Sequence, residues 1–477
     1  IKFSASSRLF YPPNFGATGI FAVTKYLGKL RTTIEKVRMK KYESWGRYPK
    51  ASHTVQCISS GTENLPAVEG GKPALPYAQG RSYGDSCLNN GGVLLDTSRL
   101  NQVLAFDEEK GILRCEGGAT LDAILDLITP KGWFLPVVPG TKFISVGGAL
   151  ANDIHGKNHH CEGTLGSHVS QFELLRSDGS RKICSPTQNP EWFESTIGGL
   201  GLTGLIVWAE FSLKPIKNSM IEMESIKFNE LAEFFRLSEE SDKSYEYVVA
   251  WMDCLSKGSS MGRGIFMRGN HAESASSEIS SPPQDELVNI PFDAPDFLLN
   301  NWSVRIFNFL YFHKHWTKRS KKLVHYNQFF FPLDIVGQWN RLYGKRGFLQ
   351  YQCVVPFDEG YQGISGIIKE ITDSGLGSFL TVIKIFGDKR SPGVLSFPKK
   401  GVTLAIDFPN KGAAIFSLLE KLDEIVRKYG GSVYPAKDAR MSPENFKKFF
   451  PQWQEFTKFI DPAFSSSFWR RVTQDST

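Results

Sequence analysis

The sequence predicts an α+β protein of two domains, and its length, its composition and a change of pattern along the chain support that prediction. A chain of 477 residues with 41% hydrophobic residues is long enough to bury two cores. Short strand-like runs and glycine-rich loops dominate up to about residue 219, whereas longer amphipathic helices alternate with strands from about Met220 onward. We therefore expect a loop-rich first domain and a strand-rich second domain backed by helices.

Residues 1–42 are a basic segment ahead of these domains. Residues 1–34 contain no Asp or Glu, and apolar residues recur at spacings of three and four from Ile20 to Val37. The cations of the segment include Lys25, Lys29, Arg31, Lys36, Arg38, Lys40 and Lys41. This pattern predicts an amphipathic helix on an anionic membrane surface, and a helix packed on the protein with a solvated basic face explains it equally well. An acid-poor composition is also typical of transit peptides.

The first glycine-rich loop lies between two predicted strands. Residues 74–80 (ALPYAQG) lead into Arg81–Ser86 (RSYGDS), and Asn89–Gly92 then precede the apolar strand Val93–Asp96. Closely spaced Gly and Ser residues leave backbone N–H groups free to point into a concavity, which suits a phosphate. The same composition is also common in ordinary turns.

The segment Ser145–Ser167 (SVGGALANDIHGKNHHCEGTLGS) is the most informative part of the chain. It combines a glycine pair with closely spaced histidines and has no helical periodicity, which predicts a buried loop around a polar ligand. A zinc site is a weaker interpretation, because Gly156, Lys157 and Asn158 separate His155 from His159 and supply neither a helix nor a general base. A structural loop whose histidines satisfy backbone groups is the other alternative. We predict no metal.

Two more glycine-rich turns flank the histidine loop, at Pro139–Thr141 and at Gly198–Gly204 (GGLGLTG). Together the four loops could enclose a dinucleotide. The regular elements predicted around them are helices at Leu121–Ile128, Asn229–Ser241, Gln362–Thr372 and Ala413–Tyr429, strands at Tyr245–Asp253, Phe348–Val355, Phe379–Phe386, Val402–Phe408 and Ser432–Tyr434, and a hairpin turn at Asp178-Gly179.

The segment His271–Leu299 is rich in Ser, Pro and Asp and predicts a surface loop. An aromatic and basic patch follows at Asn301–Lys322; its members include Trp302, Phe307, Phe309, Tyr311, Phe312, Trp316, Lys314, Lys318, Arg319, Lys321 and Lys322. Amphipathic aromatics beside cations favour contact with lipid phosphates at a membrane interface, and a solvated basic helix is the alternative.

Composition excludes several classes of protein. A net charge of +7 without a basic stripe argues against nucleic-acid binding. Seven widely spaced cysteines without a CxxC motif indicate free thiols rather than a disulfide framework. No run approaches the ~18 apolar residues that a transmembrane helix requires.

The order of these motifs resembles the FAD-binding domain of the vanillyl-alcohol oxidase superfamily, also called PCMH-type. Within it, the chain is most similar to the decaprenylphosphoryl-β-D-ribose 2′-oxidases, the flavoprotein half of an epimerase that makes the arabinose donor for cell-wall arabinan. The segments that carry the resemblance are GRSYGDS at 80–86, DIHGKNHH at 153–160, GGLGLTG at 198–204, PLD at 332–334, WNRLYG at 339–344, GFLQYQ at 347–352 and AKDAR at 436–440. The resemblance runs from about residue 43 to the C-terminus.

The resemblance implies a split arrangement of domains and an activity. Residues 43–219 and 432–477 would form the FAD-binding domain, and residues 220–431 an inserted substrate-binding domain with an antiparallel sheet, flanking helices and, at 271–322, a mobile loop and the basic aromatic patch. The implied reaction is FAD-dependent oxidation of the 2′-hydroxyl of a polyprenyl-phosphate ribose to the 2′-keto intermediate. An oxidase of a free sugar, alditol or aldonolactone is the alternative enzyme, and a flavin-binding lipid carrier without turnover is the non-enzymatic one.

The resemblance also assigns site residues. Those expected to hold FAD are Gly80, Arg81, Ser82, Tyr83, Gly84, Asp85, Ser86, Pro139, Gly140, Thr141, Gly147, Gly148, Ala149, Asn152, His155, Gly156, Asn158, Gly201, Ile206, Tyr434 and Lys437. Those expected to face the substrate are Trp251, Gln350, Gln352, Leu380, Lys384, Ala405 and Asp407. Relatives that bind flavin covalently carry a histidine where this chain has Arg81, so the resemblance implies non-covalent FAD.

Lys437, His155 and Lys157 are the expected catalytic residues. Alcohol oxidation requires a proton acceptor and a positive charge where the reduced flavin becomes anionic, and a buried lysine could serve either role. Lys437 as a surface charge beside a helix is the alternative. The pocket is less polar than in the mycobacterial members of the family, because Ala405 replaces a cysteine, Val249 a serine and Phe330 a tyrosine.

Partners and location follow from the same resemblance. We expect an NAD(P)H-dependent keto-reductase to act on the product and a quinone-type molecule to accept electrons. The protein is expected at the cytoplasmic or periplasmic face of the cell membrane, bound peripherally and without a transmembrane helix.

Overall fold

Three sheets carry most of the strands in the computed structural model, which describes residues 41–273, 289–295 and 297–474. The strands are β1 (Thr54–Cys57), β2 (Ala74–Tyr77), β3 (Val93–Asp96), β4 (Val103–Asp107), β5 (Ile112–Glu116), β6 (Trp133–Phe134), β7 (Val169–Leu175), β8 (Arg181–Cys184), β9 (Leu205–Ser212), β10 (Lys214–Pro215), β11 (Met220–Phe228), β12 (Tyr247–Met252), β13 (Gly264–His271), β14 (Arg319–His325), β15 (Phe348–Pro356), β16 (Thr381–Phe386), β17 (Gly401–Pro409) and β18 (Ser432–Val433).

The helices of the described residues are mostly short. They are α1 (Leu121–Ile128), α2 (Val146–Ala151), α3 (His159–Glu162), α4 (Pro190–Thr196), α5 (Leu231–Ser241), α6 (Asn301–His313), α7 (Tyr326–Phe330), α8 (Gly360–Ser374), α9 (Ala413–Lys428), α10 (Pro443–Phe449), α11 (Trp453–Thr457) and α12 (Ser467–Thr473). The predicted amphipathic helix of residues 20–37 lies outside the described residues.

Residues 54–212 contain two of the sheets. Strands β1, β3 and β2 form a parallel sheet in that order, and β4, β5, β9, β7 and β8 form an antiparallel one. Helix α1 begins as predicted, because the Thr120 side chain accepts a hydrogen bond from the Ala123 N–H and caps the helix. Its buried residues Leu121, Ile124, Leu125 and Ile128 belong to an extended apolar core.

The third sheet has eight strands in the order β14-β11-β13-β12-β16-β17-β15-β18, and its neighbouring strands are antiparallel where the pairing is described. Helices α8 and α9 have buried apolar faces; Ile367 and Leu422 are fully buried. The α+β class and the antiparallel sheet with flanking helices are therefore confirmed. Strand β18 adds the start of the C-terminal segment to the edge of this sheet through Cys353 and Val354 of β15.

Two further properties concern the described residues alone. No helix there is both long enough and apolar enough to cross a bilayer. All seven cysteines are free thiols, of which Cys57 and Cys161 are exposed.

Candidate active site

The loop at residues 80–86 is held by the C-terminal segment. The Tyr83 N–H donates to the Ala436 carbonyl at 2.9 Å. A Cβ on Gly84 would lie 1.6 Å from the Asp438 carbonyl oxygen, so only glycine permits this close approach. Arg471 joins both sides, because its guanidinium donates to Asp85 at 2.6 Å and to Asp438 at 2.9 Å. The AKDAR segment is thereby fixed against the first loop.

The histidine loop (residues 145–167) is held by contacts within the loop and with other segments. The Gly147 N–H donates to the Gly117 carbonyl at 2.7 Å, and the Ser145 hydroxyl caps α2 by accepting from the Gly148 N–H. Asp153 is fully buried with a φ of 41°, and it accepts from the Gly166 N–H at 3.0 Å and from the hydroxyls of Ser391 and Ser396. These contacts place His155 just before a turn and opposite Thr164, with which it forms an isolated β-bridge.

His155 lies in an aromatic enclosure. The rings of Phe386, Tyr434 and Phe397 lie 4.8, 5.2 and 5.8 Å from the imidazole, between ring centroids. Its Nε2 atom is 2.9 Å from the Gln352 amide nitrogen. Burial lowers the pKa of His155 well below its ordinary value, and Lys384, His159 and Lys437 lower it further when they are protonated. The imidazole is therefore neutral at physiological pH.

Lys437 and Asp407 form the electrostatic centre of the site. The Lys437 Nζ lies 3.8 Å from the centroid of the Tyr83 ring. Burial lowers the pKa of Lys437, and Asp407 counteracts that shift. Burial likewise raises the pKa of Asp407, whereas a hydrogen bond from the Gln350 amide at 2.5 Å and the charge of Lys437 lower it. Buried, mutually opposing charges of this kind are typical of active sites.

The strand register explains why the expected substrate residues share one face. In the antiparallel pair β15–β17, Gln350 lies opposite Asp407 and Gln352 lies opposite Ala405. Residues two apart on a strand point to the same side of a sheet, so these four form one surface. Lys384 of β16 lies opposite Thr403 of β17, and the Gln352 amide donates to the Thr403 hydroxyl at 3.3 Å.

Lys384 adds a second buried cation to this surface. Its Nζ donates to the Gly156 carbonyl at 3.4 Å, and burial lowers its pKa to about 8. Trp251 and Leu380 belong to apolar surroundings. The Trp251 indole N–H donates to the Phe379 carbonyl at 2.9 Å, and Leu380 packs in the cluster of Tyr83, Trp339, Tyr343 and Phe348.

Lys157 has different partners from Lys437. Its Nζ donates to the carbonyls of Phe329 and Phe330 at 2.7 and 3.1 Å and lies about equally far from their rings. Burial lowers its pKa to about 7. Asn158 also makes structural contacts, since its amide donates to the Pro136 carbonyl at 2.8 Å. The structure thus anchors both residues in the protein core.

Among the other residues predicted to hold FAD, two glycines border open space, two residues are buried and two are joined by a hydrogen bond. A Cβ atom on Gly140 or Gly201 would meet open space, with no heavy atom within 4 Å beyond the adjoining residues, and Gly201 has a φ of 74°. Ile206 is buried in β9 opposite Leu174, and Ala149 is buried in α2. The Tyr434 hydroxyl donates to the Asn152 carbonyl at 2.7 Å.

Four of the predicted residues carry a buried polar atom without a hydrogen-bond partner among the described residues. The atoms are Ser86 Oγ, Asn152 Oδ1, His155 Nδ1 and Asp407 Oδ2. Buried polar atoms are normally paired, so atoms of this kind on the glycine-rich loops and the β15–β17 surface indicate a polar ligand. The residues present therefore fit a large group such as FAD, with a polar substrate beside it.

Several site residues were missed from the sequence. Phe386, Phe397 and His159 line the aromatic enclosure, and the His159 ring lies 4.4 Å from that of Phe386. Asp334 accepts from the Lys142 N–H at 2.9 Å, next to the turn at Pro139–Thr141. The PLD motif contains Asp334 and could have revealed it, whereas isolated phenylalanines in strands and loops give no such signal.

Comparisons with known proteins identify the family of the chain. Residues 66–185 match the family model described as an FAD binding domain. The chain is 35% identical over 462 residues to a decaprenylphosphoryl-beta-D-ribose oxidase of Mycolicibacterium smegmatis, an alignment that covers 93% of this chain and 99% of the relative. The chain belongs to this oxidase family. It is an FAD-dependent oxidoreductase, and the predicted family and cofactor are confirmed.

Other relatives are less informative about activity. An uncharacterised protein of Streptomyces coelicolor is 30% identical over 372 residues, covering 74% of this chain and 99% of the relative. A human delta(24)-sterol reductase is 31% identical over 118 residues, which is 25% of this chain and 23% of that protein.

Proposed function

We propose that this oxidase removes a hydride from C2′ of a polyprenyl-phosphate ribose and produces the 2′-keto sugar. The observation that carries the proposal is the buried Lys437–Asp407 pair on a surface shared with Gln350, Gln352 and Lys384. This surface offers amides to sugar hydroxyls and a cation to a phosphate. Bound FAD supplies the hydride acceptor, held by the loops at 80–86, 139–141 and 145–158.

Lys437 is proposed as the proton acceptor for the 2′-hydroxyl. Its lowered pKa makes the neutral amine available near neutral pH, which is the form that takes a proton. After the transfer, the ammonium lies against the Tyr83 ring and near Asp407, and both stabilise the new charge. His155 is neutral and would position Gln352 toward the sugar. Lys157 would support the histidine loop, because its hydrogen bonds to the carbonyls of Phe329 and Phe330 anchor that loop.

Gln350, Gln352, Lys384 and Asp407 are proposed to bind the sugar phosphate, with Trp251, Leu380 and Ala405 as apolar walls. Val249 and Phe330 are buried apolar residues, and Phe330 packs in the large core against Phe134 and Tyr247. The less polar surroundings expected from the sequence would tune the choice of lipid-linked sugar rather than the oxidation itself.

In the proposed division of the chain, the site would lie between two domains. Residues 43–219 with 432–477 would bind FAD, and residues 220–431 would bind the substrate. Lys437 then comes from the first domain, while Asp407, Gln350 and Lys384 come from the second. An arrangement of this kind encloses the reacting atoms and excludes water from them.

The chemistry of the proposed reaction indicates which partner enzyme and which electron acceptor it requires. A 2′-keto sugar must be reduced to give the epimer, so an NAD(P)H-dependent keto-reductase is the expected partner. A quinone is the proposed acceptor of the electrons, and peripheral binding at the cytoplasmic or periplasmic membrane face would bring enzyme, quinone and lipid substrate together.

The test is anaerobic mixing of the purified yellow protein with farnesylphosphoryl ribose while flavin absorbance is recorded. The proposal expects bleaching by this compound and none by free ribose, an alditol or an aldonolactone. Bleaching by the free compounds alone would contradict it and establish the alternative oxidase. No bleaching by any of them would contradict turnover.

A second measurement tests how the flavin is bound. Arg81 stacks on Trp45, with 4.1 Å between the guanidinium carbon and the ring centroid, and it cannot form the histidyl link of covalent relatives. Denaturation by acid or heat should release all flavin. Fluorescent flavin that migrates with the denatured polypeptide on a gel would contradict non-covalent binding.

A further inference from the structure

Helix α6 and the residues after it expose an unusual number of large apolar side chains. Trp302 is 78% exposed and Trp316 is 97% exposed, and Ile306, Phe309 and Leu310 are also exposed. The opposite side of the helix is buried through Val304, Asn308 and Phe312. Apolar side chains therefore lie on both sides of the helix, some packed on the protein and others exposed. A large exposed apolar surface on a folded protein indicates an interaction site.

The charge of this region has one sign. Residues 297–325 contain no Asp or Glu but six Lys or Arg residues, namely Arg305, Lys314, Lys318, Arg319, Lys321 and Lys322. Lys318 pairs with Glu233 at 3.0 Å, whereas Lys314, Arg319, Lys321 and Lys322 have no carboxylate partner among the described residues. Burial and the charge of Lys322 both lower the pKa of Lys314, which indicates that these cations repel one another.

An aromatic series connects this region with the candidate active site. Phe307 of α6 contacts Phe379 at 5.4 Å between centroids, and Phe379 contacts Tyr343 at 5.7 Å. Tyr343 stacks on Phe348 at 4.2 Å, and Phe348 contacts Tyr83 at 5.3 Å, beneath Lys437. A second contact joins Tyr311 of α6 to Trp251 at 4.6 Å.

We propose that α6 and residues 314–322 form a docking surface for an anionic lipid bilayer. The docking surface comprises Trp302, Ile306, Phe309, Leu310, Trp316, Lys314, Arg319, Lys321 and Lys322. Because Tyr343 and Phe348 are buried and stacked, the aromatic series would fix the position of the docking surface relative to Lys437, so that a docked enzyme could take its lipid-linked substrate from the bilayer, a second step that rests on the proposed function.

A bilayer fits both properties of the docking surface. Tryptophan and phenylalanine insert at the boundary between headgroups and acyl chains, while lysine and arginine bind lipid phosphates at the same depth. A protein partner with an apolar groove would leave the unpaired cations unexplained unless it were also acidic. The combination therefore favours an anionic membrane over a second copy of this basic chain.

The test is co-sedimentation of the full-length holoprotein with vesicles of equal parts phosphatidylglycerol and phosphatidylcholine. The apolar variant combines Trp302→Ser, Phe309→Ser and Trp316→Ser, and the charge variant combines Lys314→Gln, Lys321→Gln and Lys322→Gln. Each cation near an anionic surface strengthens binding roughly fivefold, so the charge variant should bind about a hundredfold more weakly at low salt. The apolar variant should bind at least about tenfold more weakly, including at high salt.

Matched controls lie elsewhere on the surface. The apolar control combines Phe357→Ser and Tyr361→Ser, and the charge control combines Lys72→Gln, Lys243→Gln and Lys400→Gln, all exposed positions outside the docking surface. Both controls should bind vesicles like the unmodified protein. Equal flavin content and equal melting temperature verify that every variant is folded.

Two outcomes would overturn the proposal. One is unchanged vesicle binding in both docking-surface variants. The other is a dimer that the apolar variant disrupts while its vesicle binding stays normal, which would assign the face to a second copy. Failure of the proposed function is separate, because it would appear as absent flavin bleaching by soluble farnesylphosphoryl ribose in the unmodified protein. If that bleaching occurs, the docking variants should retain it and lose only the oxidation of a decaprenyl substrate embedded in vesicles.

Discussion

Lys437 and Lys157 are both half-buried lysines with lowered pKa values, but their neighbours differ. Lys437 lies against Tyr83 and near the carboxyl group of Asp407, which carries an unpaired oxygen. Lys157 donates to two main-chain carbonyls, those of Phe329 and Phe330. Both lysines therefore have a lowered pKa, mainly through burial, but, within the part of the chain that the structure describes, only Lys437 has a carboxyl group nearby that can respond when a proton is transferred.

The largest expected effect comes from Lys437→Met, which keeps the length of the side chain and removes both the amine and its charge. Flavin should stay bound, because the loops at 80–86 and 145–158 remain in place. General acid–base groups contribute ~10²–10⁴-fold, so anaerobic flavin reduction should slow by about that factor in stopped-flow measurements. Reduction within a few-fold of the unmodified rate, with FAD bound, would show that Lys437 has no more direct role in flavin reduction than Lys157.

Asp407→Asn should have an intermediate effect. The negative charge of Asp407 raises the pKa of Lys437, so its removal lowers that pKa further. The acidic limb of the pH profile of flavin reduction should therefore move to lower pH. The maximal rate should fall about tenfold, the size expected for loss of one hydrogen-bonded charge. An acidic limb that stays in place would separate Asp407 from the titration of Lys437.

The smallest effect on reduction is expected from Lys157→Met, which should stay within about threefold of the unmodified rate because the lysine is held by backbone carbonyls. It serves as the matched control for Lys437→Met, since both remove a buried lysine. A loss as large as that of Lys437→Met would give Lys157 a direct catalytic role.

Lys157→Met should change the pH dependence of stability instead. Burial, aided by Lys384, lowers the pKa of Lys157 to about 7 from the ordinary 10.5. Between these values the unfolded chain binds a proton that the folded protein lacks, so Lys157 makes stability rise with pH there, by at most about 1.4 kcal/mol per pH unit. The variant should lack this rise relative to the unmodified protein in melting curves recorded from pH 7 to pH 10. Parallel curves would contradict the assignment.

Several helices and strands were predictable from the sequence because neighbouring residues determine where they begin and end. Helix α1 has the predicted bounds, since Thr120 caps it and its apolar residues repeat with helical spacing. Strand β15 begins at Phe348 as predicted, and α5 begins two residues after the predicted Asn229. The predicted strand Phe379–Phe386 begins only at Thr381, because the Ser378 hydroxyl accepts from the Leu380 N–H and forms a turn there.

Contacts between distant segments were not predictable in the same way. The motif resemblance identified Gln350 and Asp407 as neighbours of a substrate, but their pairing depends on the register of β15 and β17. The carbonyls of Phe329 and Phe330 capture Lys157, and a main-chain acceptor leaves no trace in residue type. The exposed face of α6 was visible as an aromatic and basic run, although its buried side was not.

The contact between the first loop and the AKDAR segment has a consequence for biosynthesis. The Tyr83 N–H donates to the Ala436 carbonyl, and Asp85 pairs with Arg471 of α12. A nascent chain on the ribosome therefore presents this loop without these supports until residue 471 has been synthesised. We expect this loop to bind flavin only after α12 has formed, and a chain that ends before α12 to accumulate as apoprotein.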